Sequence, residues 1–347
     1  MHVRLDADQL TTALDRVVAE TAFDGVIRVD DAAGVVVARA HGLADRAHGI
    51  ANTVDTRIGM ASGSKLFTAL AALRLVEQGI VRLDTTARSL LGDELPLIAA
   101  DVTVEHLLTH RSGIGDYLDE EQVDDIADYV LGVPVHTLAT TADFVPLLDG
   151  HPTVFPAGGR FAYNNAGFLV LAALIERATG RLFHDLVDEL VIRPAGMTDT
   201  AFLRLDELPG DAAVGYLYPL AHERALRTNV LHLPVRANGD GGAFTTAADA
   251  HTLWRAFFAG RIVSAATREL MLEPRSDVPG EDARHGLGIW LARTGAGVLM
   301  DGYDAGQSFR SWHDPERQVS HTVLSNSSNG AWPVVRVLRD LVERRDD

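Results

Sequence analysis

The sequence predicts an α/β protein: an antiparallel sheet built from the N- and C-terminal segments, flanked by terminal helices, with a large helical insertion. Three observations predict it. Strand-like runs cluster at 25–41 and return at 285–325. The stretch between, about 100–235, reads mainly as helix and loop. Helical periodicity appears at both ends, over 8–20 and 331–343. Terminal segments that share one sheet make the middle an insertion within one unit. The expected organisation is therefore a single unit, 1–347, with an α/β part (1–62 and 280–347) and a mainly helical part (63–279).

Each element has a local reason. Leu10, Leu14, Val17 and Val18 follow Asp8 at helical spacing, which predicts an amphipathic helix over 8–20. Gly25–Val29 and Gly34–His41 flank an acidic turn and predict a hairpin. Arg57–Ala61 reads as a short strand, and Leu66, Leu70 and Leu73 open a helix that ends near Gly79. Val104–Thr109 reads as a short helix. Phe168–Ile175 is apolar on every side, so its helix is expected to be buried. Phe183, Leu186, Val187 and Leu190 mark another helix, expected to stop before Pro194. The stretch His136–Pro156, with several prolines and glycines, reads as a long surface loop. Strands are expected at His285–Ala292, Gly297–Met300, Ser308–His313 and Val319–Ser325, with a turn at Asp314-Pro315-Glu316.

Composition removes whole classes of function. The 347 residues are 47% hydrophobic and 23% charged, an ordinary globular balance. Thirty-one basic residues against 48 acidic ones give a net charge of −17. A phosphate backbone or an anionic membrane needs a basic face, so neither is expected as a partner. With no cysteine, disulfides and thiolate metal sites are excluded. The N-terminus has no charged start followed by an apolar stretch, and no apolar run is long enough to span a bilayer. The expected location is the cytoplasm. The expected partner is a small-molecule ester, amide or peptide substrate, and the oligomeric state is left open.

Three segments carry candidate chemistry. In Ser62-Gly63-Ser64-Lys65 a hydroxyl and an amine lie one helical turn apart, on one face. A serine needs a base to become a nucleophile, and Lys65 is placed to be that base or to hold the field for another. Ser62 also stands at a helix N-terminus, where the dipole favours developing negative charge. Tyr163-Asn164-Asn165 precedes the buried helix. A phenol near an ammonium is expected to have a lowered pKa and to pass protons. Asn165 offers a donor and an acceptor for a substrate amide. The plainer reading makes Asn165 a helix cap and Tyr163 a core residue. Gly302-Tyr303-Asp304-Ala305-Gly306 leads into a strand, where a glycine N–H can approach a ligand and join the Ser62 N–H in an oxyanion hole. The plainer reading there is a tight turn.

In this order the three segments resemble those of the serine β-lactamase and penicillin-binding protein superfamily, whose first signature is Ser-x-x-Lys. The nearest branch is the class C β-lactamase, esterase and D-aminopeptidase group. Thr103–Gly113, Pro194–Thr200 and Gly241–Thr246 also look like segments of that group. The resemblance implies a β-lactamase/transpeptidase-like fold and an acyl-enzyme on Ser62, with Lys65 and Tyr163 managing protons. It also implies substrate-shaping roles for Asn165, Tyr303, Asp304 and Gly306, with no cofactor and no metal. Ser64 is a small filler. The third segment departs from the pattern: Tyr303-Asp304-Ala305 stands where Lys-Thr-Gly or His-x-Gly is usual. Tyr303 brings no charge near neutral pH, and Asp304 brings a negative one, which works against binding a carboxylate. Arg310 is expected to be an exposed strand arginine.

Other motifs fall short. His106 and His110 are four apart, but Leu107 stands where the metalloprotease pattern needs Glu. Gly59–Lys65 lacks the second glycine of a phosphate loop, and Ser62 lacks the flanking glycines of an α/β-hydrolase elbow. The expected activity is hydrolysis of a small ester or amide. A β-lactamase, D-alanyl-D-alanine carboxypeptidase or D-aminopeptidase is the alternative, and a silent penicillin-binding-like protein is a second.

Overall fold

The structure, a computed structural model, describes residues 4–120, 126, 129–217, 226–278 and 280–344. Its centre is an eight-stranded antiparallel sheet. Across it run Gly34–His41, Gly25–Asp31, Val319–Ser325, Gln307–Asp314, Val298–Asp304, Trp290–Ala292, Ala283–His285 and Ser276–Asp277. The N-terminal hairpin thus pairs with the last strand, Val26 opposite Leu324 and Ile27 opposite Val323.

Alternation along these strands sorts their side chains onto two faces. Ile27, Val29, Leu299, Trp312 and Val323 pack under the terminal helices, against Leu10, Leu14, Val334 and Leu338. Val26, Val298, Met300, Phe309 and Leu324 face the helical part, against Phe67, Leu70, Phe168 and Trp254. Covering both faces explains why Gln307–Asp314 and Val319–Ser325 are buried at every residue.

The helix Asn165–Thr179 passes through the second core, with its residues 165–175 all buried. It packs beside Lys65–Glu77, which carries the Ser62 turn on its N-terminal end. Among the described residues, no helix is long and apolar enough to cross a membrane.

Five local expectations need correction. His136–Pro156 is not a continuous loop: Thr141–Leu148 is a helix. The Asp143 carboxylate accepts from the Thr140 amide and hydroxyl at 2.8 and 2.7 Å, and Phe144, Leu147 and Leu148 are buried. The local capping and this apolar spacing outweigh the cost of Pro146. The helix begun at Phe183 continues beyond Pro194, to Ala195. A wide π turn, Asp188–Ile192, relieves the clash a proline ring would make with the preceding turn, and Gly196 ends the helix in the left-handed region. His285–Ala292 is two strands, Ala283–His285 and Trp290–Ala292, parted by a tight turn. There a Cβ on Gly288 (φ +74°) would meet Ala69 Cβ at 2.4 Å. The strand expected at Gly297–Met300 extends from Val298 to Asp304, so Tyr303 and Asp304 lie on the strand and the turn is only Ala305-Gly306. Arg310 is buried, donating to Asp301 at 2.7 Å and to both oxygens of Glu343 at 3.1 Å.

Candidate active site

Ser62 sits in a one-turn 3-10 helix, Ala61–Ser64, that runs into Lys65–Glu77. Ala61 takes a left-handed φ of +44°, a conformation that costs a non-glycine residue about 1 kcal/mol. Its surroundings hold it there. The Gly242 amide donates to Ala61 O at 2.8 Å, and Met60 N donates to Ala243 O at 2.8 Å. Ser64, which is fully buried, donates to Ala61 O and accepts from Ala243 N. On the other side, a Cβ at Gly302 would come within 2.1 Å of Met60 O. The turn is therefore clamped between Gly241–Ala243 and the strand Val298–Asp304. Ser64 is more than filler: it ties the turn together.

Lys65 is buried directly below. Its Nζ contacts Ser62 Oγ at 2.8 Å and Asn165 Oδ1 at 2.7 Å, and it donates to the backbone carbonyl of Asp240. Burial pushes the amine below the ordinary lysine range, against the pull of Asp240, Glu120, Asp116 and Asp304. The Tyr163 ring lies over the same amine, 4.9 Å from Nζ to the ring centroid, and its phenol interacts with Ser62. The expected fall in the Tyr163 pKa does not occur. Burial and the nearby Glu120 carboxylate push the phenol well above its usual value, so Tyr163 is a proton donor at rest.

The helix cap is Asn164, not Asn165: its Oδ1 accepts from Gly167 N at 2.6 Å. Asn165 turns its side chain inward, giving Oδ1 to Lys65 and Nδ2 to Leu118 O and Glu120 Oε1, each at 3.0 Å. Asp116 closes the helix end, accepting from the amides of Asn165 and Ala166 at 2.6 and 2.9 Å; burial raises its carboxyl to about 6. Tyr117 donates its hydroxyl to the Asp240 carboxylate. Asp116, Tyr117, Glu120 and Asp240 were not singled out from the sequence.

The two histidines do separate work. His106 accepts from Thr103 N in a helix cap. His110, with φ +52°, accepts from Asn164 N at 3.1 Å, and its ring lies 4.7 Å from that of Tyr163.

Above Ser62 opens a cleft. Tyr303 and Asp304 line it beside Ser62, Glu120, Asn165 and Asp240. Burial pushes the Asp304 carboxyl up to about 7, with Glu120 and Asp240 adding repulsion. Gly306 is not among the lining residues. Its amide donates to Ser328 Oγ at 2.8 Å, so it is not the oxyanion donor that was expected. Its left-handed φ of +71° serves the turn packed against Tyr216.

The beta-lactamase family model matches residues 11–343. The chain belongs to the beta-lactamase family. Among curated members, it is 34% identical over 237 residues to Esterase EstB of Burkholderia gladioli, covering 61% of this chain and 56% of that one. It is 28% identical over 332 residues to the D-aminopeptidase of Brucella anthropi, covering 91% of this chain and 58% of that one. The chain thus spans less than two thirds of the length of these relatives. A solved penicillin-binding protein from Bacillus halodurans superposes with a TM-score of 0.88 at 34% identity, covering 94% of this chain and 99% of that one. Within this beta-lactamase family member, Ser62, Lys65, Tyr163 and Asn165 form one contact set, with Tyr303 and Asp304 on the cleft wall and Gly306 outside it.

Proposed function

We propose that the protein is a serine hydrolase that forms an acyl-enzyme on Ser62 and cleaves a small ester or amide. The observation that carries this reading is the Lys65 Nζ contact to Ser62 Oγ at 2.8 Å, made by a buried amine whose pKa is lowered. A neutral amine keeps two N–H donors and one lone pair. The two donors match Asn165 Oδ1 and Asp240 O, which leaves the lone pair aimed at the Ser62 hydroxyl.

In this reading Lys65 takes the serine proton as Oγ attacks the carbonyl carbon. Tyr163, held protonated beside Ser62, gives a proton to the departing oxygen or nitrogen and recovers one by way of Lys65. Water then attacks the acyl-enzyme in the reverse sense.

The oxyanion is assigned to the amides of Ser62 and Tyr303. The turn Ala305-Gly306 closes Asp304 against Gln307, and alternation along an antiparallel ladder then turns the Tyr303 amide away from Ser308. Trp290–Ala292 covers this edge only at Val298 and Leu299, so at residue 303 it faces the Ser62 turn. The esterase and aminopeptidase names among the relatives support the reading.

Intact-mass spectrometry during hydrolysis of p-nitrophenyl butyrate tests it. A mass gain of one acyl group, with continuing nitrophenol release, and loss of both in Ser62→Ala, is the expected result. Labelling that persists in Ser62→Ala overturns it.

A further inference from the structure

A second space reaches Ser62. It is a recess of about 20 Å³, and Ser62 is the one described residue that lines both it and the cleft. Lys65, His110 and Asp301 also line the recess. It has room for about one or two water molecules and for no larger acceptor.

Two polar groups here have no part in the chemistry described above. His110 uses Nδ1 to accept the Asn164 amide, and burial holds its pKa well below the ordinary histidine range. The neutral ring therefore carries its proton on Nε2. Among the described residues that N–H has no hydrogen-bond partner. The backbone beneath the ring is strained at φ +52°, and such strain clusters at functional positions.

Asp301 meets the recess through its backbone, because its side chain is turned to Arg310 on the other face of the sheet. The turn that pairs Asp304 with Gln307 fixes the ladder. It points the amide and carbonyl of residues 303 and 301 away from Ser308 and Arg310. Trp290–Ala292 pairs only as far as Leu299, so among the described residues the Asp301 amide and carbonyl have no strand partner. The Tyr303 amide, assigned to the oxyanion, is two residues along the same open edge.

We propose that the recess is the acceptor site for the water of deacylation, held between the His110 Nε2–H and the Asp301 carbonyl. This rests on the reading of Ser62 as the acylated nucleophile. The water oxygen accepts from Nε2–H, and one of its protons is donated to Asp301 O. The oxygen attacks the acyl carbon as the other proton passes to Lys65. The bond from that carbon to Ser62 Oγ then breaks, and Lys65 returns the proton to Oγ as the acid leaves. Water held here does not have to displace the acyl group from the cleft. A site this small favours hydrolysis over transfer to an alcohol or amine.

His110→Asn tests it. Asparagine tolerates a left-handed φ and keeps an acceptor for the Asn164 amide, but Nε2 is lost. Ile289→Phe, which fills the recess, is the second variant. Stopped-flow release of nitrophenol from p-nitrophenyl butyrate gives the acylation rate constant, and decay of the acyl-enzyme by intact mass gives deacylation. In both variants deacylation is expected to fall about tenfold or more and acylation by less than about twofold, so that acyl-enzyme accumulates. First-order constants do not depend on how much enzyme is folded. Added 1-butanol, entering by the cleft, is expected to restore turnover with butyl butyrate as product. Deacylation undiminished in either variant, or an equal loss in both steps, overturns the proposal and leaves the hydrolase reading standing. So does wild-type enzyme that makes more butyl butyrate than butyrate in dilute butanol. Failure of the ester to label Ser62 in the wild type overturns both readings together.

Discussion

Two buried charge clusters sit on opposite faces of the same strand and are built differently. Below the sheet, Arg310 bridges Asp301 and Glu343, and His321 Nε2 reaches Glu343 Oε1 at 2.8 Å. There Glu343 is pulled down to about 2 by His321 and Arg310 despite its burial, and Arg310 is raised by its two carboxylates. Above the sheet, one lysine faces four carboxylates, and burial pushes Asp116 up to about 6 and Asp304 to about 7. In the first cluster Arg310 is shared between two carboxylates and fastens the C-terminal helix to the sheet. The second is left unbalanced beside a cleft, the condition expected of a site that acts on ligands.

The largest effect that separates the two clusters is on rate. Lys65→Met keeps the apolar stem and removes the amine that contacts Ser62, Asn165 and Asp240. Ester turnover is expected to fall by about a thousandfold or more, the scale of losing a general base within a coupled set. Near-normal turnover in a folded Lys65→Met enzyme would move the base elsewhere.

Next is Arg310→Met. Removing one partner from a buried pair leaves Asp301 and Glu343 uncompensated, at a cost of about 3 kcal/mol. A lower urea midpoint is expected, with the KM of the surviving enzyme for p-nitrophenyl butyrate unchanged. A changed KM with an unchanged midpoint would reverse the roles given to the two clusters.

How much of this contrast the sequence shows depends on distance along the chain. Ser62 and Lys65 are legible because a helical turn joins them. The terminal sheet is legible because strand-like runs return at both ends. Glu120 meets Asn165 from 45 residues away, Asp116 from 49, and the Asp240 carbonyl meets Lys65 from 175. No local pattern marks such pairs. Arg310 was misread because a single strand does not reveal that both faces of its sheet are covered. Gly306 was misread because the strand's true end, Asp304, depends on pairing with Gln307. The Tyr163 pKa was misread because the lysine was weighed without burial or Glu120.

The smallest effect concerns stability against pH. A carboxyl raised in the folded state holds its proton where the unfolded chain has already lost it. Between its ordinary value of 3.8 and about 7, Asp304 therefore makes folding less favourable as pH rises, and Asp116 does the same up to about 6. Buried histidines held below their ordinary value, His110, His184, His251, His285 and His313, push the other way up to about pH 7, so the effect of Asp304 is read as a difference between variant and wild type. Asp304→Asn removes one of the raised carboxyls without changing shape, so the variant's melting temperature minus that of the wild type should grow from pH 5 to pH 8. Glu343 has the opposite sign: held down at about 2, it favours folding above its ordinary value of 4.5 and loses that contribution only as pH falls toward 2. It therefore adds no slope between pH 5 and 8. Parallel melting curves for wild type and Asp304→Asn across that window would mean that Asp304 is not crowded, and the contrast between the two clusters would lose its energetic basis.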